Sequence, residues 1–376
     1  MKRIIGISLA ASLPLVLGAC ELAPKTSVQN GYRGTGMDTI KISNLAAADE
    51  VPDPPYDPPV GNEGPRASEV YENVQVLGNL SDEQFNYVMA AITEWVSPAE
   101  GCNYCHNPAN MASDEIYTKT VARRMFQMTA ALNNEYSNHT KQTGVTCWTC
   151  HRGENVPANY WTLPIPPNKR SIVNNKSGQN DPVSNSAYSS LPTGTVARYL
   201  LGGADPAENI RVVSETRFPT PANKIRTMQA EPSYGLMMHI SQALGVNCTY
   251  CHNTQSFQSW SASNPSRQTA YYGIDMVRNI NGQYITPLAE IFPANRKGEL
   301  GDPFKVNCTT CHQGQPKPMG GFRMIKDYPA LKMAGGAPVT ATSTRPANLG
   351  PAETEVLEAP ATEDGGGGEE GEANPT

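Results

Sequence analysis

The stretch CNYCHN (residues 102–107) returns almost unchanged in the second half of the chain as CTYCHN (residues 248–253). A second pair, CWTCHRGENVP (residues 147–157) and CTTCHQGQPKP (residues 308–318), carries the same Cys-x-x-Cys-His pattern in a different context. We number these copies sites one to four in chain order. Because sites one and three resemble each other, as do sites two and four, the sequence indicates a duplicated unit that carries two sites.

The segments upstream of the sites repeat as well. MAAI (residues 89–92) precedes site one as MMHI (residues 237–240) precedes site three, with a length difference of two residues. MTAALNNEY (residues 128–136) precedes site two as MVRNINGQY (residues 276–284) precedes site four. The duplication therefore extends to the segments that lead into each site.

A Cys-x-x-Cys-His pattern is the attachment signature of a c-type haem. Both thiols add to the haem vinyl groups, and the histidine that follows binds the iron. The pattern predicts four covalently bound haems c. The attaching cysteines would be Cys102, Cys105, Cys147, Cys150, Cys248, Cys251, Cys308 and Cys311, and the proximal ligands His106, His151, His252 and His312.

Other chemistries of cysteine and histidine fit this pattern less well. Zinc sites need paired ligand sets, and no pairing explains a histidine after every second cysteine. A dithiol redox motif is expected once, near a βαβ pattern. Disulfides would not depend on where histidines fall, yet four of the six histidines directly follow a Cys-x-x-Cys. Haem attachment is the interpretation that accounts for all four copies.

The sixth iron ligand at sites one and three is expected on a helix just upstream. Ser81 is a typical N-cap for a helix over residues 82–96, which contains Met89. The repeat aligns Met89 with Met237, whereas Met238 and His239 align with alanines. We therefore predict Met89 and Met237 as ligands at sites one and three, although buried methionines more commonly serve core packing.

Sites two and four leave two alternatives open. Met125 and Met128 share one face of an expected helix over residues 116–136, which we predict to be capped by Ser113. If Met128 served site two, its repeat partner Met276 would serve site four. We favour Met125 at site two and His139, eight residues before Cys147, crossing to site four. Gly273, which aligns with Met125, would then mark the methionine that the second half lacks.

The N-terminus predicts export and anchoring. Two basic residues precede an apolar run over residues 4–17 that is too short to span a bilayer comfortably. The run ends in LGAC, which is typical of a bacterial lipoprotein signal with Cys20 as the acylated residue. An ordinary signal peptide that happens to contain Cys20 is the alternative. The prediction is an exported protein held to a membrane surface by an N-terminal lipid.

Composition gives the division of the chain and excludes one class of partner. The formal net charge of −6 arises from eight acidic residues after Pro351, without which it is about +2. No basic run with interleaved aromatics points to nucleic acid. We predict a signal peptide (1–19), a lipid-anchored arm (20–66), a half with sites one and two (67–152), a connector (153–220), a half with sites three and four (221–335) and a disordered acidic, Gly-rich tail (336–376).

Taken together, four haem sites in two pairs, three upstream methionines, a histidine before site two and a lipoprotein leader resemble the tetrahaem cytochrome subunit of purple bacterial photosynthetic reaction centres. The resemblance covers roughly residues 20–330. It implies methionine ligands at the first three haems and two histidines at the fourth. By position, these are Met89, Met125 and Met237, with His139 opposite His312.

The resemblance also implies a fold and a function. We expect a mainly α-helical protein with long irregular loops, built as two pseudo-symmetric dihaem halves. It would not be an enzyme but an electron carrier that caps the periplasmic face of the reaction centre. A soluble cytochrome c or high-potential iron–sulfur protein would reduce it, and it would reduce the photo-oxidised bacteriochlorophyll pair. The alternatives are a multihaem periplasmic reductase and a membrane-anchored redox wire of another complex.

Overall fold

The computed structural model of the chain describes residues 25–29, 38–42, 51–164, 186, 188–201, 210, 212 and 227–335. The predicted signal peptide, Cys20 and the tail after Gly335 lie outside the described residues. Helices dominate the described part, and one two-stranded antiparallel sheet pairs β1 (Lys25–Gln29) with β2 (Asp38–Ile42). The prediction of a mainly helical fold with little sheet is confirmed.

The described α-helices are mostly short and are separated by irregular segments. They are α1 (Ala67–Val70), α2 (Asp82–Val96), α3 (Tyr117–Glu135), α4 (Ser137–Thr140), α5 (Cys147–His151), α6 (Thr195–Leu200), α7 (Thr227–Leu244), α8 (Ser266–Asn279) and α9 (Cys308–His312). A π-helix (Ile280–Ile285) continues α8. Single 3₁₀ turns occupy Gly101–Tyr104, Cys248–Tyr250, Thr286–Leu288, Ala294–Arg296, Pro318–Gly321, Met324–Lys326 and Pro329–Lys332.

Helix α2 begins where the sequence predicts. The Ser81 side chain accepts a hydrogen bond from the Gln84 backbone N–H at 3.3 Å, which satisfies a free donor of the first turn. Tyr87, Val88, Ala91 and Trp95 recur at helical spacing and are buried on one face. Because this face packs into the core, Met89 on the other side of the helix lines the cavity at site one that is described below.

Helix α3 begins later than predicted, and the expected cap is wrong. Its N-cap residue is Ile116, which makes no side-chain capping bond, and the helix starts at Tyr117. The Ser113 hydroxyl instead accepts from the Glu115 N–H at 3.2 Å. Serine side chains form such local turns as readily as helix caps, so the Ser113 signal marked a turn before the helix.

The apolar core joins segments from both ends of the chain. Tyr328, from the 3₁₀ segments near residue 330, stacks on Tyr87 with ring centroids 5.0 Å apart and meets the edge of Trp95 at 4.5 Å. A second cluster packs α6 against α7 and α8, with Val196 and Leu236 fully buried. Helix α6 lies in the segment expected as a connector, so part of that segment belongs to the folded body.

The N-terminal arm also has structure that the sequence did not indicate. Strand β2 lies beside the 3₁₀ turn Cys248–Tyr250 at site three. Further along the arm, Tyr56 packs edge-on against Tyr87, with centroids 5.1 Å apart. Within the described ranges, every helix is too short or too polar to cross a lipid bilayer.

Candidate haem-binding sites

Sites one and three share one backbone conformation. In each, the first cysteine lies in a 3₁₀ turn, Gly101–Tyr104 or Cys248–Tyr250, and the second cysteine is the C-cap of that turn. The carbonyl of the first cysteine accepts from the backbone N–H of the following histidine at 2.9 Å in both sites. This turn brings the two thiols and the imidazole of each motif onto one compact loop.

Sites two and four share a different conformation. Each motif forms a single helical turn, α5 or α9, capped by the preceding residue, Thr146 or Asn307. Both helices end at a residue in the left-handed region, Arg152 with φ 52° and Gln313 with φ 49°. The two forms of the motif seen in the sequence therefore correspond to two backbone forms.

The motif histidines are oriented by backbone carbonyls. The Nδ1 atoms of His106 and His252 lie 3.0 Å from carbonyls five residues later. Those of His151 and His312 lie 2.9 Å from carbonyls three residues later. A ligating histidine typically makes such a bond, which fixes its tautomer and leaves Nε2 for the metal. All four rings are thus arranged as iron ligands would be.

A large apolar cavity of about 660 Å³ brings sites one and two together. Both cysteines and the histidine of each site line it, as do the predicted ligands Met89 and Met125. Thioether-forming thiols, imidazoles and methionine sulfurs around one apolar space form the donor set that covalent haem requires. The residues present therefore fit the predicted cofactor.

Met128 and Met276 pack together rather than separately. Met276 is 5% exposed and lies in an apolar cluster with Leu132 and Ile280, against which Met128 also packs. Met125 and Met128 both line the cavity, so the described geometry leaves their competition for site two open. Met125 at site two stays a prediction.

His139 lies at site four, not at the site that follows it in the sequence. Its ring centroid is 6.0 Å from that of His312. Its Nδ1 lies 2.9 Å from the Thr269 carbonyl of α8, in the same kind of bond that orients the motif histidines. Gly273, on the next turn of α8, faces the ring, because a Cβ there would lie 2.5 Å from His139 Cε1.

The surroundings keep these two rings neutral. Loss of water on burial lowers the pKa of His139, and it lowers the pKa of His312 to about 4. A neutral imidazole is the form that binds metal. Two neutral imidazoles with ring centroids 6.0 Å apart are suited to a bis-histidine iron site.

Sites two and four also meet through their cysteines. The Cys150 and Cys311 sulfurs lie 2.8 Å apart, and both residues are partly buried. Burial raises the pKa values of Cys147 and Cys308, the first cysteine of each motif, to about 12. Cys147 packs against the cluster that contains Trp95, and Cys308 packs against the cluster that contains Leu236.

At site three, Met237 and His239 have different surroundings. Met237 is partly buried against an apolar cluster that also includes Tyr250 and Cys308. His239 is 2% exposed, and its Nε2 has no hydrogen-bond partner among the described residues. Met237 as the ligand at site three stays a prediction.

Sequence reasoning did not find the groups that orient the histidines. The acceptors are the backbone carbonyls of Met111, Glu154, Phe257 and Gln315, which carry no residue signature. The ammonium of Lys119, which also bonds the Met111 carbonyl, was likewise missed. The spacing from each histidine to its acceptor, which is five residues at sites one and three and three residues at sites two and four, is the signal that could have suggested the carbonyls.

Comparison with known proteins agrees with these sites. Residues 21–332 match the family model for the photosynthetic reaction centre cytochrome C subunit. The photosynthetic reaction center cytochrome c subunit of Rubrivivax gelatinosus is 47% identical over 339 residues, which cover 89% of this chain and 91% of that protein. The protein of the same name from Thermochromatium tepidum is 45% identical, over 87% of this chain and 82% of that protein. The one from Roseobacter denitrificans is 38% identical, over 82% of this chain and 86% of that protein. The resemblance predicted from the motifs is confirmed.

Proposed function

Because the chain belongs to the photosynthetic reaction centre cytochrome c subunit family, as an electron-transfer subunit with covalently bound haem c, we propose that it holds four haems in a defined order. The observation that carries the proposal is the set of four Cys-x-x-Cys-His motifs, each with its histidine bonded through Nδ1 to a backbone carbonyl. Haem iron supplies one-electron oxidation and reduction. The chain supplies ligands, spacing and surroundings that set the potentials.

The proposed axial ligands rest on the repeat for Met89 and Met237, on the family resemblance for Met125 and on the placement of His139 for site four. Met89, Met125 and Met237 pair with the motif histidines of sites one, two and three, and His139 pairs with His312 at site four. Methionine–histidine ligation raises a haem potential relative to two histidines. Site four would then have one of the lower potentials in the chain.

The contacts between the sites suggest the order one, two, four, three. Sites one and two line one cavity. Sites two and four meet where Cys150 and Cys311 face each other, 2.8 Å apart. Site four meets the helix that leads to site three, where the Gly314 N–H donates to the Ala243 carbonyl at 2.8 Å. This order supports an electron path that crosses from one half of the chain to the other.

The chain acts with the reaction centre core at the periplasmic side of the membrane. We propose that site one lies at the outer end of the path, where a soluble cytochrome c or a high-potential iron–sulfur protein delivers electrons. Site three would lie nearest the bacteriochlorophyll pair. An acylated Cys20 would hold the chain to the membrane surface.

In this role the chain catalyses no bond making or breaking. A multihaem reductase needs an iron with an open position for its substrate. The proposal assigns a side chain as the sixth iron ligand at every site, which leaves no open position and favours electron transfer. The proposed halves, 67–152 and 221–335, would each hold two haems, in keeping with the paired backbone forms of their motifs.

A redox titration of the purified complex, followed optically and by electron paramagnetic resonance, tests the ligand map. We expect four haems per chain, three with methionine–histidine ligation and one with two histidines. Four methionine–histidine signals would move site four to Met276. A high-spin haem with an exchangeable ligand would instead favour the reductase.

Flash excitation of membranes tests the role in the reaction centre. We expect haem oxidation within the lifetime of the photo-oxidised pigment pair, followed by re-reduction when soluble donor is added. Membranes that contain the chain and an active reaction centre but show no flash-induced haem oxidation would support a redox wire of another complex. Mass spectrometry of the N-terminal peptide, with Cys20→Ser as control, tests the lipid anchor.

A further inference from the structure

Lys119 places a buried positive charge beside site one. The residue lies on α3 and is 8% exposed. Its ammonium donates to three successive backbone carbonyls, those of Met111 at 2.9 Å, Ala112 at 2.8 Å and Ser113 at 2.9 Å. Lys119 also lines the cavity that contains His106 and Met89. The side chain therefore fixes the loop after site one and faces the space proposed for the haem.

One of these carbonyls is the acceptor for the proximal histidine. His106 Nδ1 lies 3.0 Å from the Met111 oxygen, so His106 and Lys119 share that oxygen. We infer that Lys119 is a positioning residue that raises the reduction potential of the site-one haem through this shared carbonyl. The inference rests on the proposed function, in which His106 is an iron ligand.

Two physical effects act in the same direction. A carbonyl that accepts from Nδ1–H makes the imidazole a more basic ligand and stabilises oxidised iron. An ammonium on the same oxygen draws away electron density and weakens that effect. In addition, a buried positive charge disfavours the more positive, oxidised state of a nearby iron. Both effects raise the potential.

The nearest carboxylate does not cancel this charge. Asp114 lies 3.4 Å from the Lys119 ammonium, but its carboxylate accepts two shorter, bidentate hydrogen bonds from Arg123, at 2.8 and 2.9 Å. Arg123 is itself 6% exposed. Two cations thus face one carboxylate, and that carboxylate side chain is 40% exposed and partly screened by water.

The repeat offers an internal comparison at site three. The alignment of MTAALNNEY with MVRNINGQY places Arg267 at the position of Lys119. Arg267 donates to the Ser259 carbonyl at 2.9 Å, two residues beyond Phe257, whose carbonyl accepts from His252. A cation is thus kept at both positions, and at site one it bonds the very oxygen that orients the histidine.

The test compares Lys119→Gln with Lys119→Arg in the complete complex at one fixed pH. In Lys119→Gln, the equilibrium constant for reduction of the site-one haem should fall at least tenfold. For one electron this corresponds to a potential about 59 mV lower. Lys119→Arg, which keeps the charge, should restore most of it. Lys326→Gln, which removes a 64% exposed lysine from a surface pair, is the matched control and should leave the potential unchanged.

A spectroscopic readout separates tuning from structural damage. In reduced protein labelled with ¹⁵N-histidine, the His106 Nδ1–H resonance should move in Lys119→Gln, because its hydrogen bond strengthens. Asp114→Asn serves if Lys119→Gln does not fold, since it removes the counter-charge and should raise the site-one potential. Unchanged potentials with haem retained would overturn the inference, whereas a wild-type chain without haem at site one would overturn the proposed function instead.

Discussion

The imidazole of His139, which precedes site two in the sequence, lies 6.0 Å from that of His312 at site four, with the ring planes 73° apart. His139 is held there by α8, whose Thr269 carbonyl lies 2.9 Å from its Nδ1. One half of the chain thus supplies a ring to the site of the other. This crossing explains why Gly273 replaces the methionine that the repeat would place on α8.

His139→Met should change the ligation of one haem and leave the others intact. If His139 is the sixth ligand of site four, a methionine in its place gives methionine–histidine ligation and a higher potential. Electron paramagnetic resonance should then show the loss of the bis-histidine signal. A redox titration should show the rise of one potential among the four.

Met276→Leu is the matched control for that variant. Met276 is buried in the apolar cluster with Leu132 and Ile280, and leucine conserves most of its volume. We expect the ligation pattern to stay as in the wild type. Loss of a methionine–histidine signal in Met276→Leu would contradict the assignment of His139 to site four.

Gly273→Ala should displace His139 without touching any motif residue. The added Cβ would lie 2.5 Å from His139 Cε1 and 2.7 Å from its Nδ1, closer than real Cβ contacts. Because the added Cβ would occupy space that the ring fills, the imidazole must leave its present place beside α8 and its position relative to His312 must change. We expect the bis-histidine signal to weaken or a high-spin haem to appear.

Gly194→Ala provides the comparison for this steric effect. A Cβ at Gly194 meets no atom within 4 Å, and the residue precedes α6 with φ −73°. Its spectra should match those of the wild type. An unchanged bis-histidine signal in Gly273→Ala would mean that His139 does not bind the site-four iron.

The four haem sites could be predicted from the sequence because covalent haem attachment needs fixed residue types at fixed spacing. The duplication could be predicted because these motifs recur in two matching pairs. The sequence also predicted the start of α2, since the Ser81 cap acts over three residues. The cap at Ser113 was wrong, because the same side-chain chemistry also makes turns. A serine of this kind predicts a helix start only where the tertiary structure does not favour the local turn instead.

Long-range relationships were harder to predict. Sequence spacing left His139 and Met276 as alternatives for site four, since neither proximity nor the repeat says which side chain crosses between halves. The contact of His139 with Gly273 appears only in the folded chain. The carbonyl that Lys119 shares with His106 is also beyond sequence reasoning, because every residue has a backbone carbonyl.

Asp302→Asn should destabilise the segment that leads into site four. Asp302 pairs with the Lys305 ammonium, and the two side chains are only 9% and 2% exposed. The same carboxylate accepts from the Leu163 N–H at 2.8 Å and so ties the start of the connector to this segment. Removal of one partner of a buried pair leaves an uncompensated charge and costs about 3–5 kcal/mol.

The midpoint of guanidinium denaturation, monitored by haem absorbance, measures this cost. Lys326→Gln, which breaks a largely exposed pair with Asp327 at 3.8 Å, is the control and should change stability by about 0–1 kcal/mol. An effect of Asp302→Asn as small as that of the control would show that the Lys305 charge is compensated elsewhere.

Asp114→Asn should lower stability at neutral pH and have less effect in acid. Hydrogen bonds from Arg123, with the charges of Arg123 and Lys119, hold the pKa of Asp114 below its usual value. A group with a depressed folded-state pKa stabilises the fold fully above its unfolded pKa of about 3.9 and loses that contribution as pH falls through the folded value. Melting temperatures of the wild type and Asp114→Asn should therefore differ at pH 7 and converge toward the acid limit. Asp53→Asn, at an exposed carboxylate, should follow the wild type throughout, and a difference for Asp114→Asn that persists in acid would show that shape rather than charge stabilises the loop.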